Sequence, residues 1–158
     1  MEVKFFADSM LGKLARWLRL MGFDTRYNCS ISDEELIKIA KKENRIILTK
    51  DREMVNKNKK YRGNNFIFIS DSDPDQQIKT VIKSLNLNPW KGLFSRCVYC
   101  NHLVEKIEDV TKFKDKIPPY ALVTSPSFYY CPVCNRVYWE GSHHKKIKEK
   151  IKNLMKKG

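Results

Sequence analysis

Phe5-Phe6-Ala7-Asp8-Ser9-Met10-Leu11-Gly12-Lys13 carries a short apolar run that stops at a single carboxylate. Val3–Ala7 reads as a buried strand. From Met10 onward, Met10, Leu14, Leu18 and Met21, with Leu11 and Ala15 beside them, recur at helical spacing. Asp8 therefore stands where a strand hands over to a helix. In an open α/β sheet the crevice beyond the carboxyl ends of the strands is where ligands bind. An acid placed there gains weight if other strands bring acids to the same edge.

Outward from this stretch the pattern repeats. The first helix is expected over Ser9–Met21, with Ser9 as a candidate N-cap and Gly22 as its C′ residue. Phe23–Tyr27 gives a second strand. Ser32-Asp33-Glu34-Glu35 fits a capping box opening a helix that carries Leu36, Ile37, Ile39 and Ala40. Arg45–Thr49 is a third strand, ending in Lys50-Asp51. Asn56–Asn65 is polar and basic and is expected to be mobile. Phe66–Ser70 is a fourth strand ending at Asp71, and Asp73-Pro74-Asp75-Gln76 opens a helix with Ile78, Val81, Ile82 and Leu85 on its apolar face. Alternating units of this length imply a parallel sheet flanked by helices.

Each strand is thus followed by acids: Asp8, then Asp33 with Glu34 and Glu35, then Asp51, then Asp71 and Asp73. Gathered carboxylates repel unless a cation joins them or their pKa values rise. Hard oxygen ligands with open positions suit Mg²⁺ or Mn²⁺, which serve phosphodiester hydrolysis. Helix caps are the competing explanation, since Asp is common at any strand-to-helix junction. It fits Asp33 and especially Asp73, followed by Pro74, better than it fits Asp8 and Asp51. Lys13 and Arg16 lie off the apolar stripe of the first helix and are candidates to hold phosphates, against the alternative of a solvated face. Arg19 and Arg52 are lesser candidates. Trp17 reads as packed, and the isolated Cys29 as a small, partly buried residue rather than a nucleophile.

The chain has 158 residues, enough for one domain or a small domain with an appended module. Its net charge of +13 favours a polyanionic partner, nucleic acid first and an anionic membrane surface second. No stretch approaches the roughly 18 apolar residues of a membrane span. The early arrival of Asp8 argues against a signal peptide. Four of the five cysteines form two CxxC pairs, which in an unexported protein favours metal over disulfides. The expected location is the cytoplasm.

After a linker at Asn88-Pro89-Trp90-Lys91-Gly92 come Cys97-Val98-Tyr99-Cys100 and Cys131-Pro132-Val133-Cys134. Two such knuckles form the structural zinc pattern, closed by four thiolates, with redox or disulfide pairs as the alternatives. Asn101 and Asn135 follow the second cysteine of each pair, where a knuckle often needs a left-handed residue. Leu103–Val104, Ala121–Val123, Phe128–Tyr130 and Val137–Trp139 read as short ribbon strands. His102, His143 and His144 are not needed as ligands. A basic helix closes the chain over His143–Lys157, with Ser142 able to cap it. Its Ile147, Ile151, Leu154 and Met155 form one stripe expected to pack on the body.

Phe6-Ala7-Asp8-Ser9-Met10-Leu11-Gly12-Lys13-Leu14-Ala15-Arg16-Trp17-Leu18-Arg19 resembles the opening of the Mut-7 C-terminal RNase domain family. So do Asp33-Glu34-Glu35-Leu36, Arg45-Ile46-Ile47-Leu48-Thr49-Lys50-Asp51-Arg52, and Gln77 after the Asp71–Asp75 acids. Ser95-Arg96-Cys97-Val98-Tyr99-Cys100-Asn101 and Val137-Tyr138-Trp139-Glu140-Gly141-Ser142-His143 match as well. Lys50 stands where the family commonly has arginine. The resemblance implies a PIN-like nuclease fold fused to a zinc ribbon. It also implies metal ligation by Asp8, Asp51 and an acid at the start of the second helix.

The resulting expectation is a PIN-like domain over 1–90 and a zinc ribbon with a C-terminal helix over 91–158. The function expected is Mg²⁺- or Mn²⁺-dependent ribonuclease. Asp8, Asp33 and Asp51, with Asp71 or Asp73, would hold metal and water. Ser9 and Thr49 would orient them, and Lys13, Arg16 and Arg52 would contact RNA. Zn²⁺ would sit on Cys97, Cys100, Cys131 and Cys134. The principal rival is a non-catalytic RNA-binding or ribosome-associated module of the same fold. A receiver-like phosphoryl acceptor ranks below both, because Ser9 replaces the second acid it needs.

Overall fold

The computed structural model describes residues 2–58 and 65–156. Four strands, β1 (Lys4–Ala7), β2 (Asp24–Tyr27), β3 (Ile46–Thr49) and β4 (Phe66–Phe68), form a fully parallel sheet in the order β2-β1-β3-β4. Between them run α1 (Gly12–Leu20), α2 (Asp33–Glu43) and α3 (Arg52–Lys57), and α4 (Pro74–Leu85) follows β4. Strands β1 and β3 read as apolar runs because both faces are covered, whereas the edge strand β2, Asp24-Thr25-Arg26-Tyr27, is largely polar. Phe5, Ala7 and Leu48 point into one core with Leu14, Leu18, Ile78 and Val81 of α1 and α4. Phe6 and Ile47 point the other way, onto Leu36, Ala40 and Met54 of α2 and α3.

The C-terminal part contains β5 (Glu105–Lys106), α5 (Pro119–Thr124), β6 (Phe128–Tyr130), β7 (Val137–Trp139) and α6 (Ser142–Lys156). Strands β5, β6 and β7 form an antiparallel sheet over a small core of Ile107, Ile117, Ala121 and Phe128. Helix α6 then returns to the first core, where Ile151 and Leu154 are buried. No described helix is long and apolar enough to cross a membrane.

Several elements differ from the sequence expectation. The first helix begins at Gly12 rather than Ser9, because the Asp8 carbonyl accepts from Leu11 N–H and its carboxylate from Met10 N–H, forming a turn first. Ala121–Val123 lies in helix α5, which Pro119 at its first position initiates. Leu103 only bridges Arg96, and the ribbon strand follows it at Glu105. Helix α3 takes in the start of the stretch expected to be mobile; positions 59–64 of that stretch lie outside the described residues, as does Lys157.

The two parts are tied together at the amino end of the sheet. Gly22 (φ +89°) is the C′ residue of α1, and a Cβ there would stand 2.1 Å from the Gly92 carbonyl oxygen, so only glycine fits. Arg96 Nε donates to the Gly22 carbonyl at 3.0 Å, and Asn101 accepts from Thr25 N–H at 2.9 Å. Arg19, only 8% exposed, donates to the carbonyls of Thr25 (2.8 Å), Val98 (2.9 Å) and Tyr99 (3.3 Å). Arg19 is therefore a clasp between α1 and the first cysteine knuckle, not a substrate contact.

Candidate functional site

The strand order changes direction between β1 and β3, and the crevice at such a switch point is where parallel sheets bind ligands. Asp8 ends β1 there and is 7% exposed. Its Oδ1 accepts from Met10 N–H at 2.9 Å, and its Oδ2 accepts from the Thr49 hydroxyl at 2.6 Å and from Lys50 N–H at 3.0 Å. The fully buried Thr49 Oγ1 in turn accepts from Asp51 N–H at 2.9 Å. One threonine hydroxyl thus couples the acid after β1 to the backbone of the acid after β3.

Asp51 also caps α3: its Oδ1 accepts from Glu53 and Met54 N–H, so this acid does not escape the capping role as its place after an apolar strand suggested. Asp73 caps α4 through Asp75 N–H, as Pro74 implied. Ser32 caps α2 through Glu35 N–H, which leaves Asp33 exposed in the first turn. Asp71 is exposed, and its carbonyl is held by the buried Gln77 side chain at 2.9 Å. Among the described residues these acids form no group of three whose ligand atoms lie within 4.8 Å of one another.

Around this edge Ser9, Lys13, Arg16 and Arg52 are all exposed. The Arg52 guanidinium lies 4.6 Å from the Phe68 ring centroid, at the end of β4. Two contributors were not singled out from sequence. Tyr27 donates to the Ser9 carbonyl at 2.9 Å and so fixes the loop after Asp8, and Met10, 72% exposed, stands beside it. A tyrosine ending a neighbouring strand is the only signal either left in the sequence.

The cysteines behave differently. The ligand sulfurs of Cys97, Cys100, Cys131 and Cys134 all lie within 4.8 Å of one another, with separations of 3.7 Å (Cys97–Cys134), 3.5 Å (Cys97–Cys100) and 3.3 Å (Cys100–Cys131). A tetrahedral ion with Zn–S bonds of about 2.3 Å needs an edge of roughly 3.8 Å, so the donor set fits zinc. Asn101 (φ 66°) and Asn135 (φ 61°) hold the left-handed positions after the knuckles, and their N–H groups donate to the Cys97 and Cys131 carbonyls at 2.8 Å. The thiols titrate together as a set: against burial, hydrogen bonds from the Arg136 backbone and side chain lower the Cys134 thiol, while burial and the neighbouring sulfurs raise that of Cys100. Cys29 lies elsewhere and is exposed rather than partly buried.

A parallel α/β domain with an aspartate at its switch point, joined to a four-cysteine cluster, defines an α/β protein carrying a centre consistent with a zinc ribbon. The chain belongs to the Mut7-C RNAse domain family, whose model matches residues 3–151, nearly its whole length. No curated protein and no solved structure matches it. Membership of an RNase domain family points to a nuclease-like function with RNA as the substrate.

Proposed function

We propose that the protein is a divalent-metal-dependent ribonuclease acting at the acid edge. The observation that carries this reading is Asp8, a buried carboxylate at the switch point, oriented by Thr49 and coupled through it to Asp51. Mg²⁺ is commonly held by one or two carboxylates, with substrate phosphate and water completing the shell. Such a pair therefore fits the ion without a preassembled cage. Asp8, Asp33 and Asp51, with Asp71 or Asp73, would hold Mg²⁺ or Mn²⁺, which when bound supplies an activated water and a counter-charge for the leaving oxygen.

The chain's own residues do the positioning. Three donors fix the Asp8 carboxylate and leave Oδ1 able to accept a second partner. Tyr27 keeps Ser9 beside it. Lys13 and Arg16 on one exposed face of α1, and Arg52 on α3, would hold the phosphates on either side of the scissile bond. Zinc on the four cysteines is structural, because four thiolates leave no position open to water.

A second reading has its own support. Asp51 and Asp73 are already used as helix caps, and the acids do not converge as the cysteines do. A non-catalytic RNA-binding module would look the same at those positions. The two readings separate when purified protein is incubated with end-labelled single-stranded RNA in Mn²⁺, Mg²⁺ or neither, beside Asp8→Asn with Asp51→Asn. Cleavage that needs the ion and falls by at least about 100-fold in the variant supports the nuclease. Unchanged cleavage in the variant removes the acid edge from the chemistry. RNA binding without any cleavage favours the module.

A further inference from the structure

Between the ribbon sheet and α6 lies a groove of about 680 Å³, within the roughly 300–1,000 Å³ of ligand clefts and apart from the acid edge. Rings make up a large part of its lining, Phe94, Tyr99, Tyr129, Tyr138, Trp139 and His144 among them, beside aliphatic side chains. We infer that this groove takes an unstacked base of single-stranded RNA, a proposal that rests on the reading of the protein as one that acts on RNA.

Three observations carry it. First, the wall already contains one ring stack. His144 lies flat on Phe94, with centroids 3.9 Å apart and planes within 9°. Phe94 is held at φ 65°, a left-handed backbone that a bulky residue adopts only where its surroundings impose it, here with its N–H on the Leu20 carbonyl. Second, this wall carries a polar group in reserve: His144 Nδ1 has no hydrogen-bond partner among the described residues, and because the atom is closed off in this conformation a base edge would reach it only by turning the ring.

Third, the charge selects the occupant. At the rim Tyr99 lies under two guanidinium groups, Arg136 at 3.9 Å and Arg16 at 5.4 Å from its centroid. Helix α6 adds six lysines against one glutamate, and Glu140 in the groove faces Lys148 at 3.8 Å. Two copies of a chain with net charge +13 repel, which disfavours a second copy as occupant. Aromatic platforms beside a cationic track are how proteins hold single strands. Arg16 also belongs to α1, whose nine residues span about 13 Å from the acid edge toward the ribbon. A strand following Lys13 and Arg16 would lay its phosphates on that helix and place a base in the groove.

The test is fluorescence anisotropy without added divalent ions, on labelled single-stranded RNA, the same strand with abasic sites, and duplex RNA. Variants are Tyr129→Ala, on an exposed ring, and His144→Leu, each checked for a wild-type circular dichroism spectrum. Stacking of one base predicts that intact single strand binds roughly 5- to 150-fold tighter than its abasic counterpart. At least one folded variant should lose most of that preference. Equal affinity for intact and abasic strands overturns the proposal, as does an undiminished preference in both folded variants. Base-dependent binding by a protein that never cleaves RNA would leave the groove standing while the nuclease reading falls. Cleavage with no base preference would do the reverse.

Discussion

The cysteine centre and the acid edge both collect metal-ligand side chains, but the chain gathers them differently. Each cysteine pair sits on one tight turn, so a knuckle brings two sulfurs together locally and only one long-range contact is needed to close the set. The acids come from four separate junctions between strand and helix, and each junction has a use for a carboxylate before any ion arrives. Asp51 and Asp73 satisfy the open amides of helix starts. Only Asp8 is buried and held by the neighbouring strand. A closed soft-ligand cluster is part of the architecture, whereas an open hard-ligand site of the kind proposed for the acid edge would be completed by what it binds.

The largest way to break the comparison is to remove one sulfur. Cys131→Ser, or a strong chelator, should lower the thermal midpoint by about 10 °C or more, since structural zinc binding is largely folding free energy. Asp8→Asn with Asp51→Asn should lower it by only a few degrees while abolishing cleavage. Calorimetry of both variants with and without zinc decides the matter. An equal loss in the two would mean that the acid edge is as architectural as the cysteines.

Next in size is the clasp. Arg19→Met removes the donor from three carbonyls on two parts of the molecule and should cost about 2–4 kcal/mol. Ile151 and Leu154 of α6 lie in the core of the parallel sheet, so wild type is expected to unfold in one transition despite the linker at Asn88–Gly92. If Arg19→Met splits that transition in two, residues 1–90 and 91–158 are separable folding units joined by this arginine.

Arg19 also marks the limit of what the sequence conveyed. The parallel sheet was legible because β1, β3 and β4 are short apolar runs followed by an acid and a helical repeat, and the cysteine knuckles because their spacing and asparagines are local. Arg19 carries no such mark. In sequence it is one more arginine on an amphipathic helix, and its burial depends on Val98 and Tyr99 arriving from some 80 positions away. Phe94 is similar, since nothing in Leu93-Phe94-Ser95 announces a left-handed backbone. The α5 segment could have been read correctly: Ala121–Val123 is too short for periodicity to separate strand from helix, but Pro119 at N1 was the available signal. The acid edge lies between these cases, because a carboxylate at a helix start looks identical whether it caps or binds metal.

Asp51 can separate those two roles. Asparagine caps a helix about as well as aspartate, and alanine does not. Asp51→Asn should therefore keep wild-type stability, within about 0.5 kcal/mol, and lose metal-dependent cleavage. Asp51→Ala should lose the same cleavage and about 1 kcal/mol in addition. Urea unfolding beside the cleavage assay reads both quantities. Full cleavage by Asp51→Asn would leave Asp51 a cap alone.

The narrowest effect, a dependence on pH below about 4, concerns a carboxylate that sits at neither centre. Asp24, at the start of β2, accepts from Arg45 at 2.8 Å and from Asn101 Nδ2 at 2.7 Å, joining the sheet to the first knuckle. Burial works to raise its pKa, but the hydrogen bonds from Arg45 and Asn101 and the charges of Arg45 and Arg96 hold it below its ordinary value. The folded state therefore binds fewer protons than the unfolded state, in which the group titrates near 3.9. The stability it contributes is complete above that point and is lost as the pH falls through the folded value. With zinc in excess, Asp24→Asn should cost about 2 kcal/mol, a gap to wild type that stays constant from pH 7 to pH 5 and narrows only below about pH 4. A gap that instead widens with acid would reverse the sign of the linkage. Asp24 would then owe its place to neither arginine nor knuckle.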